Sequence, residues 1–369
     1  MKVYNDLVRN IIDNGYRNPN DRTGVGRCSI FSTMTRFNLK DGFPMITCRK
    51  TFFRTVKEEM LWFIRGSQDN QELLDKNVNI WTPWVITEKD VDKLIERFIP
   101  DQPEEGKAIF KASLITEYSQ KIGPLYGKNW RDAPSYQFNH AYPRVTVEDV
   151  ATDKLALYKK EYEKNPPMFE PVPGEEVKVM EFIDYVNARY YQSIDQLQNL
   201  MVNLRDRPYS ARHVVSSVIP EFIPFETLSP QENILLGKGA LFPCHAMFQC
   251  FVFPPLVEGG KKRISLQMYQ RSVDTMVGAS INIPSYALLL SMIAHCLDYE
   301  VDEFIYTTGD THLYLSHIEK AEIQIAREPL PLPKLWLNPT VKDLFSFTSD
   351  DIRLEEYQYH DPIKYEIAV

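Results

Sequence analysis

Leu241-Phe242-Pro243-Cys244-His245 sets a cysteine after a proline and before the strand-like run 246–254, so the sulfur falls at a strand mouth where a pocket can open. A thiol there could act as a nucleophile, although most free cysteines are buried and inert. Tyr269-Gln270-Arg271-Ser272-Val273-Asp274 shifts the balance. A planar cation, a hydroxyl and a carboxylate emerge together from an expected strand at 264–269, a set suited to a phosphate.

Other constellations are ambiguous singly. Asp21-Arg22-Thr23-Gly24-Val25-Gly26 reads as an Asp-capped turn, and no Gly-Lys-Thr/Ser follows to make it a phosphate loop. Arg212 lies in a second arginine-bearing turn, 206–213, before an expected strand at 214–218. Glu58-Glu59 stands at the head of an apolar helix, where one carboxylate can be an exposed end and the other is costly to bury unless paired or functional. Gly309-Asp310-Thr311-His312-Leu313-Tyr314 follows a short expected strand at 303–308 and alternates His and Tyr, two groups able to bind a sugar hydroxyl from one face.

These residues need a scaffold. Apolar spacing predicts helices at 2–14 and 285–297 and strands at 28–38 and 246–254. Mixed strands and helices point to an α/β or α+β domain with one dominant sheet. Three stretches differ in composition and read as surface inserts on a single domain spanning 1–369: 86–121, with short helices broken by Pro100 and Pro103; 133–190, with an apparent helix from Glu175; and the proline- and acid-rich 219–238.

Composition narrows the function. Among 369 residues, 44% are hydrophobic and 25% charged, the profile of a folded globular chain. A net charge of −8 disfavours a nucleic-acid binder while leaving room for a small anionic ligand. No apolar run reaches the roughly 20 residues of a membrane span, and five cysteines without framework or CxxC spacing fit neither a disulfide scaffold nor a metal site. A soluble, cytoplasmic, unprocessed chain is expected.

Taken in order, the motifs resemble the thymidylate synthase family. Residues 21–31, Asp41-Gly42-Phe43-Pro44, 59–66, Asn79-Ile80-Trp81 with Trp84, Gly123-Pro124-Leu125-Tyr126-Gly127, Pro243-Cys244-His245, 267–278 with Asn282, 309–314 with His317, and the tail Glu366-Ile367-Ala368-Val369 carry the likeness. They cover most of the chain outside the inserts. The resemblance implies a large mixed β-sheet flanked by helices, with inserted surface segments. It also implies folate-dependent one-carbon transfer to C5 of dUMP, with 5,10-methylenetetrahydrofolate as co-substrate and no metal.

By resemblance, Cys244 is the nucleophile adding to C6 of uracil, its thiolate favoured by Arg271. Asn282 matches the reader of uracil O4 and N3, and Glu59 the carboxylate that organises proton transfers. Tyr126 matches the tyrosine assisting proton removal from C5, and Asp274 a catalytic-set carboxylate able to hydrogen-bond the pterin. Arg22, Arg271 and Ser272 match phosphate ligands, Arg212 an arginine reaching in from the other subunit of a homodimer, and His312 and Tyr314 the pair holding the deoxyribose 3′-hydroxyl. Ile80, Trp81, Trp84, Leu241, Gly278 and Val369 match folate-side positions. Ala211 departs from a usual arginine and Ile281 from a usual aromatic, which with the inserts suggests a divergent member of the family, cytoplasmic, and in the host's cytoplasm if it is a viral one. The expected product is dTMP; 5-hydroxymethyl-dUMP is the alternative, should water reach the methylene before hydride does. Neither a membrane nor a nucleic acid is required. A cysteine hydrolase is disfavoured because His245, adjacent in a strand, would point away from Cys244.

Overall fold

Six strands in the order β1-β2-β8-β7-β6-β5 form the sheet on which the site is built. They are β1 Tyr16–Asn18, β2 Arg27–Asn38, β5 Val214–Ser216, β6 His245–Phe253, β7 Arg263–Asp274 and β8 Glu300–Tyr314. The β7–β8 pair is parallel and the other pairs antiparallel, so the sheet is mixed. The computed structural model describes residues 1–19, 24–137 and 190–366; the helix expected from Glu175 lies outside them.

One face of the sheet meets the Ala279–Leu297 helix. That helix is apolar on nearly every side, because it is wrapped by the core: Leu288, Leu289, Leu290, Met292 and Ile293 are fully buried. It is also the one helix among the described residues that is long and apolar enough to cross a membrane, with 72% of that window buried inside the protein. Tyr286 stacks on Phe304 of β8, with ring centroids 6.4 Å apart. The Phe53–Arg65 helix packs on the same layer, and Gly66, in the left-handed region at φ 76°, ends it.

The opposite face is amphipathic and open. Ladder register aligns Ser216, Met247, Tyr269, Thr307 and Met34 in one row across five strands, and Val214, Gln249, Gln267, Ile305 and Arg36 in the next. Met34, Met247, Tyr269, Val214 and, farther along β6, Phe251 are all exposed.

Several elements run further than sequence spacing indicates. β7 continues to Asp274 and β8 to Tyr314, so Arg271, Ser272, Asp310, His312 and Tyr314 lie on strands rather than in the turns beyond them. The long helix starts at Ala279, which puts Asn282 in its first turn. Glu58 and Glu59 sit mid-helix, and both are buried, against the expectation that one is an exposed end.

Within 86–121, helices Glu88–Phe98 and Glu104–Ser113 form a second apolar cluster. Ile86, Val91, Leu94, Ile95 and Leu114 gather with Ile234 and Ala240, and Trp84 and Leu241 pack against them. The Pro230–Leu235 helix, capped reciprocally by Ser229 and Glu232, is joined to this cluster by an Arg97–Glu232 ion pair at 3.1 Å. β9 Lys334–Leu337 and β10 Ile352–Glu355 make a small antiparallel pair.

The chain divides into two compact units, Met1–Asp132 with Asp195–Val369, and Ala133–Ile194. In the second, β3 Ala133–Gln137 pairs antiparallel with β4 Tyr190–Ile194.

Candidate active site

Cys244 immediately precedes β6 and is pinned from two sides. Its carbonyl accepts the Arg271 N–H at 2.9 Å, and its own N–H donates to the Tyr126 hydroxyl oxygen at 3.0 Å. Arg271 folds back over the same segment, donating from Nε to the Pro243 carbonyl at 3.1 Å and from Nη2 to that of Phe242 at 2.8 Å. Burial raises the thiol pKa, and the Arg271 charge and the Tyr126 hydrogen bond, which lower it, do not overcome that. Arg271 thus favours the thiolate, as expected, without outweighing burial, and two backbone carbonyls also engage its guanidinium.

Tyr126 is held under backbone strain, at φ 32° and ψ −96°, a conformation a tyrosine rarely adopts. The next residue must be glycine, because a Cβ on Gly127 would collide with the Phe63 carbonyl. Aromatic packing fixes the ring: Phe63 lies 5.0 Å away, Trp81 5.8 Å and His245 4.8 Å. His245 is buried, and burial lowers its pKa to about 4, so it stands as a neutral ring in this wall.

Glu59 projects from the middle of its helix into this aromatic wall, where the Trp81 indole N–H donates to Oε1 at 3.0 Å. Burial raises its pKa to about 7, partly countered by that hydrogen bond. Such a carboxyl exchanges protons near neutral pH. Glu58 faces the other way and accepts from the Ser349 hydroxyl at 2.5 Å.

Asn282 donates from Nδ2 to Gln270 Oε1 at 3.1 Å, and the Tyr306 hydroxyl donates to the same oxygen at 2.7 Å. Gln270 thus orients the amide, a role sequence reasoning missed. The available signal was periodicity: Gln270 is a polar residue in phase with the buried Leu266 and Met268.

On adjoining strands, Asp310 Oδ2 accepts from the Ser272 hydroxyl at 3.2 Å, and His312 Nδ1 lies 3.4 Å from that oxygen. The His312 and Tyr314 rings pack edge to face, 5.3 Å apart. Asp274 accepts the Met276 N–H at 3.0 Å and stands 3.8 Å from His317 Nδ1. Trp81 and Trp84 meet at 5.7 Å, and with partly buried Ile80 and Leu241 they form an apolar wall. Gly278 keeps the corner tight, since a Cβ there would sit 3.2 Å from the Asp274 carbonyl.

One expected residue, Arg212, is not brought to Cys244 within its own chain. Arg212 is exposed, and continuing the β5–β6 register sets it opposite Phe251, roughly 23 Å along β6 from Cys244 at about 3.3 Å per residue. Arg22 and Val369 lie outside the described residues.

A family model described as thymidylate synthase matches residues 2–369. The chain belongs to the thymidylate synthase family. Thymidylate synthases carry out folate-dependent one-carbon transfer to C5 of dUMP with methylenetetrahydrofolate as co-substrate, and the mixed sheet flanked by helices is consistent with that fold. The residues present suit a folate: the Trp81 and Trp84 rings meet at 62° to make an aromatic corner for a flat ring system, with the Asp274 carboxylate as a polar partner. Among the described residues, no group of three or more His, Cys, Asp or Glu is placed to hold a metal.

Proposed function

We propose that this thymidylate synthase family member reductively methylates dUMP to dTMP, with Cys244 as nucleophile. The observation that carries the reading is the convergence on Cys244 of Tyr126 and Arg271, with Glu59 and Trp81 on the adjoining wall.

C5 of uracil is a weak nucleophile. Addition of Cys244 Sγ to C6 makes the ring an enolate, able to attack carbon at C5. Asn282, held by Gln270, reads the uracil edge, and Glu59 moves protons at the O4 side because its carboxyl titrates near neutrality. Tyr126 assists loss of the C5 proton. Methylenetetrahydrofolate supplies the one-carbon unit and the hydride. Trp81, buried and bound to Glu59, shields the reacting carbon from water.

Arg212 points to a homodimer. It is remote from Cys244 in its own chain, yet it borders the open sheet face that carries Met34, Met247, Tyr269 and Phe251. A second copy covering this face would bury that apolar row and bring its Arg212 to the other copy's nucleotide phosphate.

Mass spectrometry of the nucleotide formed from dUMP and methylenetetrahydrofolate tests the reading. A product heavier than dUMP by one methylene, with an equal amount of dihydrofolate seen as an absorbance rise, is expected. 5-Hydroxymethyl-dUMP with tetrahydrofolate left unoxidised would overturn it in favour of hydroxymethylation.

A further inference from the structure

One oxygen of Asp310 gathers three partners from three adjacent strands. Arg27 Nη1 of β2 lies 2.7 Å from Oδ2, the Ser272 hydroxyl of β7 donates to it at 3.2 Å, and His312 Nδ1 of β8 stands 3.4 Å away. In the nucleotide reading above, Ser272 meets the phosphate and His312 the deoxyribose 3′-hydroxyl. Asp310 therefore sits between the two ends of the sugar phosphate and braces a side chain at each.

A carboxylate in that place carries a cost. Burial raises its pKa, but the nearby His312, Arg27 and Ser29 together outweigh burial and hold it below the ordinary value. It is ionised at neutral pH, beside the position of an incoming phosphate dianion, and like charges at such range oppose binding. Arg271 is occupied by the Phe242 and Pro243 carbonyls, whereas Arg27 is in direct contact with the carboxylate.

We propose that Arg27 is a positioning residue of the nucleotide monophosphate site: it balances Asp310, so that the carboxylate can hold Ser272 and His312 without repelling the phosphate. The Arg27 side chain reaches along β2 to do so, because its backbone pairs with Tyr314 while Phe31 is the residue paired with Asp310. The proposal rests on the nucleotide reading of this site.

Calorimetric titration of dUMP and of deoxyuridine into the full-length protein tests it. Arg27→Met should bind dUMP roughly tenfold or more weaker while holding deoxyuridine within about twofold, because only the phosphate feels the uncovered carboxylate. Arg27→Lys should recover most of the loss. Arg27→Met combined with Asp310→Asn should bind dUMP better than Arg27→Met alone, since the amide keeps an acceptor and loses the repelling charge. Equal weakening of both ligands, or a double variant no better than Arg27→Met, would overturn the proposal, and Arg27→Gln gives the same comparison if the methionine variant does not fold. Failure of the unaltered protein to bind dUMP would instead overturn the nucleotide reading, and this proposal with it.

Discussion

The Cys244 N–H and the Tyr126 hydroxyl oxygen, separated by 118 residues in sequence, form a hydrogen bond of 3.0 Å. The phenol that is to assist at C5 therefore also fixes the backbone of the nucleophile. Tyr126→Phe should slow folate-dependent tritium release from [5-³H]dUMP by roughly 10²-fold or more, the scale of a lost acid–base group. It should also destabilise the fold by about 1–3 kcal/mol, because a buried N–H loses its acceptor. Urea unfolding and the tritium assay read the two effects separately, and a variant with unchanged turnover would remove Tyr126 from the mechanism.

Cys244→Ala should abolish tritium release while leaving dUMP affinity nearly intact, since the aromatic wall and Asn282 remain. Measurable folate-dependent turnover in this variant would sink the assignment of the nucleophile.

Glu59 supplies a pH signature. Its folded pKa, about 7, lies above the ordinary 4.5, so folding favours the protonated carboxyl. The stability from this group is fully present below pH 4.5, is lost as pH rises towards 7, and is level above that. Glu59→Gln removes the dependence. Its stability relative to the wild type should rise by up to about 3 kcal/mol across that window, as 1.36 kcal/mol per pKa unit requires. Parallel stability curves from pH 4.5 to 8 would show that Glu59 does not titrate in this range.

Asn282→Asp should move preference from dUMP toward dCMP, because a protonated carboxyl complements cytosine and an ionised one accepts from its amino group. Gln270 Oε1 accepts from the amide, so only the protonated carboxyl, which can donate to it, keeps that hold in the reading position. An unchanged ratio of the two activities would mean that Asn282 does not read the base.

The open sheet face makes a separate prediction. Tyr269→Glu should convert a dimer into monomers in sedimentation experiments and remove activity with it. Mixing inactive Arg212→Glu and Cys244→Ala chains should restore part of the activity, because one site of the mixed dimer is intact. No recovery after verified subunit exchange would place Arg212 outside the partner's site.

Much of this arrangement is legible in sequence, for identifiable reasons. The Lys2–Asn14 helix and strands β2 and β6 follow from period and composition, because each presents one apolar face to the core. Element ends are less visible. β8 continues through Gly309 to Tyr314 because pairing with β2 and β7 on both sides outweighs the local turn signal. Both glutamates of the Phe53–Arg65 helix are buried since Ser349 and Trp81, distant in sequence, supply their partners. The Asp310 hub is likewise invisible to motif reading, as its three partners meet only when three strands are laid side by side.

The folate-side wall has a backing that the reactive residues do not reveal. Trp84 and Leu241 lean on Ile86, Val91, Leu94 and Ile95, residues of a stretch whose composition sets it apart as additional sequence. A shortened chain without 88–113 would retain each reactive group and its sheet, yet those two side chains would face solvent where they now meet hydrocarbon. The stretch is part of the masonry: it cannot be cut away without opening the room it encloses.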